Sequence, residues 1–265
     1  MTALASDTGR EVRRRNAQRS ALPVVGVIGE LLITAGVVVM LFLGWYLWLG
    51  DVIAGSAQND AAADLQQEWA EQSPPDPGAA VVPAVEPLDP SLAPVLAEPT
   101  AIAERFATII VPRFGEDYVR TIAQGVGLSS VLNDPETGVG HYPGTAMPGA
   151  VGNFAVAAHR TTYGAPFKQL VDLKVGDSIY IETVEGWYHY AYRGLEYVRP
   201  TAVDVLAPVP RQPGTEATER ILTMTTCNPL FSAAERAIGY AVMTGWYPRE
   251  GGTPAELADP IAAVR

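Results

Sequence analysis

Residues 101 to 250 predict a mainly β domain, closed as a barrel or stacked as a sandwich, and three observations carry that expectation. Seven short runs are rich in β-branched and aromatic residues: Phe106 to Val111, Val119 to Ala123, Asn153 to Ala158, Ser178 to Thr183, Trp187 to Tyr197, Arg220 to Thr226 and Arg236 to Trp246. Turn chemistry separates them, as in Val175-Gly176-Asp177, Glu185-Gly186 and Gln212-Pro213-Gly214. Helical pieces are confined to Gly127 to Asn133 and Phe167 to Leu173, so no strand–helix–strand alternation calls for a parallel sheet covered by helices. A segment of about 150 residues is long enough to bury a full hydrophobic core.

The chain ahead of this domain divides by charge. Five arginines fall among residues 1 to 22 against Asp7 and Glu11. Leu31 to Gly50 is uncharged, rich in Leu and Val, and carries Trp45, Tyr46 and Trp48 near its far end. At about 1.5 Å per residue this stretch spans roughly 30 Å, one bilayer crossing. Arginines before it and Asp51 after it predict a cytoplasmic N-terminus and an exported bulk. Gly55-Ser56-Ala57 offers small residues to a signal peptidase, but the apolar core exceeds the ~7–15 residues of a signal sequence, which favours an uncleaved anchor in contact with membrane lipid.

Residues 51 to 100 hold nine acidic residues and no Lys or Arg, with eight prolines from Pro74 to Pro99. That composition predicts an extended, disordered stalk, with a helical turn or two over Asp64 to Ala70. The net charge of −11 is mostly this segment, whereas residues 101 to 250 carry 12 basic against 15 acidic residues. No basic patch points to nucleic acid. No cofactor motif occurs, and Glu104, Glu116 and Asp117 lack the spacing of a calcium loop or other metal site.

Three residues carry the chemistry. Cys227 is the only cysteine, and it ends the run from Arg220 just before the Asn228-Pro229 turn. An exported chain with one cysteine has no internal disulfide to form, which leaves catalysis or an inert buried thiol as its role. Arg236 opens the next run nine residues later, so a hairpin brings its guanidinium beside the sulfur, cross-strand neighbours lying roughly 5 Å apart. The alternative for Arg236 is a surface salt bridge to Glu235. His159 closes the apolar run from Asn153 and supplies the imidazole that a thiol nucleophile needs. His141, in the preceding loop His141-Tyr142-Pro143-Gly144-Thr145, is a second candidate for the same cleft. In Trp187 to Tyr192, alternation puts Tyr188, Tyr190 and Tyr192 on one face, so His189 reads as ordinary packing on the other.

These residues resemble a family. The TMTTCNP run holding Cys227, the arginine of AERAIGYA and GNFAVAAHRTT with its His159 are similar to sortases, the Cys-His-Arg transpeptidases of Gram-positive cell surfaces. The stretch GVGHYPGTAMPGAVGN, Gly138 to Asn153, is similar to the segment before the sortase histidine, and the details resemble class E sortases of high-GC Gram-positive bacteria. Two positions depart from the pattern: Met224 stands where Leu is usual, and Ala158 where Gly usually precedes the histidine.

The resemblance implies an eight-stranded sortase barrel that cleaves a sorting signal, LAXTG-like or LPXTG-like, between Thr and Gly. Cys227 forms the thioacyl intermediate, His159 protonates the leaving amine, and a cell-wall peptidoglycan precursor amine resolves the intermediate. Tyr142, His141, Thr225 and Thr226 line the substrate site on this reading, and the partners are surface proteins with such C-terminal signals. The domain plan is a basic cytoplasmic tail (1–22), an anchor (23–50), an acidic stalk (51–100), a sortase catalytic domain (101–250) and a flexible tail (251–265). Two rivals use the same residues differently. A hydrolytic cysteine peptidase or amidase more often places its nucleophile at a helix N-terminus, and in a non-catalytic surface-binding module Cys227 is incidental.

Overall fold

The structure, a computed structural model, describes residues 8–72 and 86–257. It divides into two units, one ending at Leu49 and one beginning at Gly50. The first is a single helix, α1 (Thr8–Gly44), which widens into a π-helical turn over Trp45–Leu49. Val25–Gly44 is long and apolar enough to cross a membrane by length and composition, and its side chains face outward. This window lies N-terminal to the expected Leu31 to Gly50, because α-helical geometry stops at Gly44 and the helix carries Glu30 within its length.

The second unit is a barrel. Its strands are β1 (Arg105–Ile110), β2 (Val119–Gln124), β3 (Val139–His141), β4 (Gly152–Ala158), β5 (Ser178–Thr183), β6 (Gly186–Val198), β7 (Arg220–Asn228) and β8 (Glu235–Pro248). They close in the order β1-β2-β3-β4-β7-β8-β6-β5. The β2–β3 and β4–β7 pairs are parallel and the others antiparallel. Alternation sorts the side chains. Phe154, Val156, Ala158, Tyr188, Tyr190, Tyr192, Leu222 and Met224 point into the central core with Ile109, Ile122 and Trp246. The two departures from the family pattern fit there. Met224 is fully buried, and a Met fills a Leu-sized space at little cost. Ala158 ends β4 in ordinary extended backbone.

Seven of the eight strands are those expected. The strand missed, β3, is three residues long and centres on Gly140, where a Cβ would collide with the Gly125 carbonyl oxygen. So short a run, with glycine at its middle, carries no periodicity. The two helical pieces shrink to a π-turn at Leu128–Leu132 and a 3₁₀ turn at Leu170–Asp172.

The disordered stalk expected over 51 to 100 is corrected in both of its described parts. Residues Gly50–Gln72 form α2, which buries Gln58, Ala61, Ala62, Leu65, Gln66 and Trp69 along one face. That spacing of three and four residues is one stripe of a helix. Ala62 packs with Ile110, Val119, Tyr180 and Trp187 on the outside of the barrel, and Arg249 lies 4.7 Å over the Trp187 ring and 5.4 Å over that of Trp69. Prolines begin only at Pro74, so the composition of the whole segment hid a proline-free, foldable first half.

Further on, Leu88 exchanges backbone hydrogen bonds with Trp246, and Glu98 accepts from Gln124 Nε2 at 2.8 Å and from the Gly144 N–H at 2.9 Å. Residues 251–257 of the expected flexible tail also pack: Leu257 is fully buried, and Tyr180 donates to the Glu256 carboxylate at 2.7 Å.

Candidate active site

The outer face of β4, β7 and β8 holds the three residues in one row. In the β7–β8 hairpin Cys227 pairs directly with Arg236. In the parallel β4–β7 ladder Ala157 pairs with Thr225, and two residues further along each chain come His159 and Cys227. Paired residues of neighbouring strands share a face, and adjacent strands lie about 4.8 Å apart. His159, Cys227 and Arg236 thus occupy neighbouring positions at three adjacent strand ends. Below them the next outward row is Ala157, Thr225 and Ile238.

Apolar walls flank this floor. On one side Ala157 packs with Val131, Leu132 and Tyr142, and on the other Ile238 packs with Val198, Val205 and Leu206. Asn153 fixes the second wall: its amide donates to the carbonyls of Val205 and Ala207, both at 3.0 Å, while its own oxygen accepts from Thr223 at 2.6 Å. A cavity of 120 Å³ continues between the walls, lined by Thr145, Ala146, Asn153, Leu206 and Pro208.

His159 is half-buried and doubly held. Its Nε2 lies 2.8 Å from Asn133 Oδ1, and its ring stacks on Tyr163 with centroids 5.2 Å apart and planes 28° from parallel. Burial pushes the imidazole below its ordinary value, opposed by the Asp51 carboxylate on α2. A depressed value keeps the ring neutral near pH 7, the form that can take a thiol proton. Arg236 donates from Nη1 to the carbonyls of Ala233 and Glu235, each at 3.0 Å. Its expected rival, an ion pair with Glu235, is absent among the described residues; the Glu235 carboxylate accepts instead from the Asn228 amide at 2.9 Å. Nε and Nη2 of Arg236 have no partner among the described residues, so three N–H groups remain to meet an oxygen.

The remaining candidates separate. Tyr142 stands beside the row, its hydroxyl sharing a 3.0 Å hydrogen bond with Thr225 Oγ1 above the floor. Thr226 points to the interior side and donates to the Ala158 carbonyl at 2.8 Å, tying β7 to β4 just below the row. His141 is a correction. It is fully buried, stacks on Phe154, and has both ring nitrogens engaged, with Gln124 at 2.7 Å and Thr145 at 2.9 Å. It braces the loop that carries Tyr142. His189 packs on Tyr180 and hydrogen bonds Thr244 at 3.0 Å, on a strand that does not adjoin β4 or β7.

Sequence reasoning missed Asn133 and Tyr163. Both lie in irregular backbone, and nothing in their local sequence marks them as neighbours of His159.

The fold is a closed β-barrel that carries a free cysteine, with a histidine and an arginine at the neighbouring strand ends. The chain belongs to the sortase family of cysteine transpeptidases: the sortase domain model matches residues 109–244. It is 35% identical over 253 residues to sortase SrtE1 of Streptomyces coelicolor, a match that covers 92% of this chain but only 65% of that relative's length. It is 31% identical over 261 residues to SrtE2 of the same organism, with 94% of each chain covered. Among solved structures, sortase E1 from Streptomyces coelicolor with a tripeptide in its active site aligns with a TM-score of 0.54 at 37% identity, over 59% of this chain and 98% of that one.

Proposed function

We propose that this protein is a membrane-anchored transpeptidase that cuts an LAXTG-like or LPXTG-like sorting signal between Thr and Gly and joins the Thr carbonyl to a cell-wall amine. The observation that carries this reading is the single row of His159, Cys227 and Arg236 at the head of a walled, apolar floor.

The chemistry follows from the row. His159 takes the thiol proton, and the Cys227 sulfur attacks the Thr carbonyl carbon. Charge that develops on the carbonyl oxygen is met by the free N–H groups of Arg236. The C–N bond to Gly breaks as His159 returns the proton to the leaving amine, which leaves a thioester on Cys227. The acceptor amine then attacks that thioester, losing a proton to His159, and the thiol is regenerated. Tyr142 and Thr225 shape the wall and floor where the residues before Thr lie. A tripeptide occupies the active site of the Streptomyces coelicolor sortase E1 structure, which supports a peptide in the corresponding place in this protein. Arginines before Val25–Gly44 support a cytoplasmic N-terminus with the barrel outside.

The test is incubation of the full chain in detergent with LAXTG and LPXTG peptides, with and without a diamino acceptor. A transpeptidase gives a peptide–amine conjugate that grows with acceptor concentration. Acid product alone, unchanged by amine, indicates a hydrolase, and no cleavage of either peptide contradicts the reading.

A further inference from the structure

We propose that Gln58, on α2, is a positioning residue for His159: it locks the strained loop whose Tyr163 ring lies against the imidazole. The proposal rests on the reading of His159 as the proton carrier.

Gln58 is fully buried, although it lies in a segment whose composition is that of a linker. Its side chain enters a slot with two glycine walls. A Cβ on Gly138 would collide with Gln58 Nε2, and one on Gly164 would lie 2.9 Å from its Oε1, so neither wall has room for a larger residue. Inside the slot Nε2 donates to the Tyr163 carbonyl at 3.0 Å. Gly138 leads into β3 and the Tyr142 loop, and Gly164 belongs to the loop after His159, so one side chain of α2 touches both segments that flank the row.

The second loop needs holding. Thr162, Tyr163, Gly164 and Ala165 all take left-handed backbone, with φ of 65°, 51°, 79° and 43°. Three of these four carry a Cβ, which disfavours that region, and such a run persists only where its surroundings fix it. The fixing contacts include the Gln58 bond to Tyr163, the Tyr163 ring on His159, the Ala165 N–H on the Thr162 carbonyl at 2.8 Å, the Tyr118 hydroxyl on the Pro166 carbonyl at 2.8 Å, and the Phe167 N–H that returns to the His159 carbonyl at 3.0 Å. Gln58 Oε1 is buried with no partner among the described residues. An apolar side chain of similar length would fill the slot without stranding an acceptor. What an apolar side chain cannot supply is the donor that grips the Tyr163 carbonyl.

The test compares full-length wild type with Gln58→Ala, Gln58→Met and Gln66→Ala. Gln66 sits on the same helix and bonds the Glu182 carboxylate, so its loss weakens the docking of α2 without touching the His159 loop. Three quantities are read: kcat and KM for an LAXTG peptide with a diamino acceptor, melting temperature, and the pH profile of Cys227 alkylation by iodoacetamide, which reports a single site because the chain has one cysteine. The titratable and charged groups near His159 include Asp51 on α2, Tyr163 on its own loop, Arg160 next in the chain and bonded to Asn228, and, by strand register, Cys227 on β7 and Arg236 on β8, and none is altered.

Both Gln58 variants are expected to lower kcat about tenfold or more with KM within roughly twofold, and to displace the alkylation profile. Gln66→Ala is expected to lower the melting temperature and leave both other readouts in place. Alkylation profiles of the Gln58 variants that superimpose on wild type overturn the proposal, as does an equal displacement by Gln66→Ala. If Gln58→Ala does not fold, Gln58→Met decides, because it keeps the slot filled. If wild type turns over no peptide, the functional reading fails while the alkylation profiles still decide the role of Gln58.

Discussion

His159 is held at one nitrogen by Asn133 and across its face by Tyr163, which leaves Nδ1 without a hydrogen-bond partner among the described residues. Asn133→Ala is therefore expected to lower kcat about tenfold or more while the fold survives, since a misdirected imidazole transfers protons poorly. His159 and His141 should respond in opposite ways. His159→Ala is expected to remove nearly all turnover with little change in melting temperature. His141→Ala leaves the Gln124 amide oxygen buried without its partner, a loss of about 1–3 kcal/mol, and should lower the melting temperature while the remaining folded enzyme turns over. Measured kcat and thermal melts of the two variants check both statements, and equal catalytic losses would contradict this division of roles.

Arg236 is tested by varying charge and shape separately. Arg236→Lys keeps the charge but loses the planar fork, and Arg236→Ala removes both. Loss of an oxyanion donor typically costs about 10²- to 10³-fold in turnover. Both variants are expected to fall steeply with near-normal melting, and turnover within a few-fold of wild type in Arg236→Ala would remove this residue from the mechanism. Thiol, imidazole and guanidinium were legible in the sequence because each sits at the end of a strand whose period is plain, and a strand end aims its side chain by register alone. Asn133 and Tyr163 were not, because a π-turn and a left-handed loop carry no period to read.

At the scale of elements, α2 is the part of the chain whose role changed most between sequence and structure. Its stripe of Ala61, Ala62, Leu65 and Trp69 is a helical spacing, yet it was masked by the prolines and acids that follow. Burying Leu65 and Trp69 stabilises by about 1.5–3 kcal/mol each. Removal of residues 1–49 is accordingly expected to leave a soluble protein with full activity toward short peptides, since the second unit begins at Gly50. Removal of residues 1–72 is expected to lower the melting temperature by several degrees or more and to reduce activity. Equal stability and turnover of the two truncations would show that α2 contributes nothing to the barrel. The strand β3 escaped notice for the opposite reason: three residues around a glycine gain their strand character from β2 and β4 on either side.

At the scale of the whole molecule, burial holds all three histidines, His141, His159 and His189, below their ordinary values. The unfolded chain therefore binds protons first as pH falls, near the ordinary histidine value of about 6.5. Stability is fully present above that value and declines as pH drops below it, until the folded histidines also protonate. Arginine partners hold the carboxylates of Asp177 and Glu219 below their usual range, so their stabilisation is lost only in more acidic solution. Thermal melts are expected to be flat from about pH 8 to 7 and to fall from about pH 6.5 to 5. A melting temperature that rises as pH drops through that lower interval would contradict the burial of neutral histidines.

The central claim is that Cys227 carries the acyl group from signal to amine. The most direct measurement is mass spectrometry of the full chain after brief incubation with an LAXTG peptide and no acceptor. A thioester of the Thr-terminated fragment on Cys227, which disappears when a diamine is added and as peptide–amine conjugate accumulates, is the predicted result. Peptide cleavage that proceeds with no adduct on Cys227, and at an undiminished rate in Cys227→Ala, would contradict it.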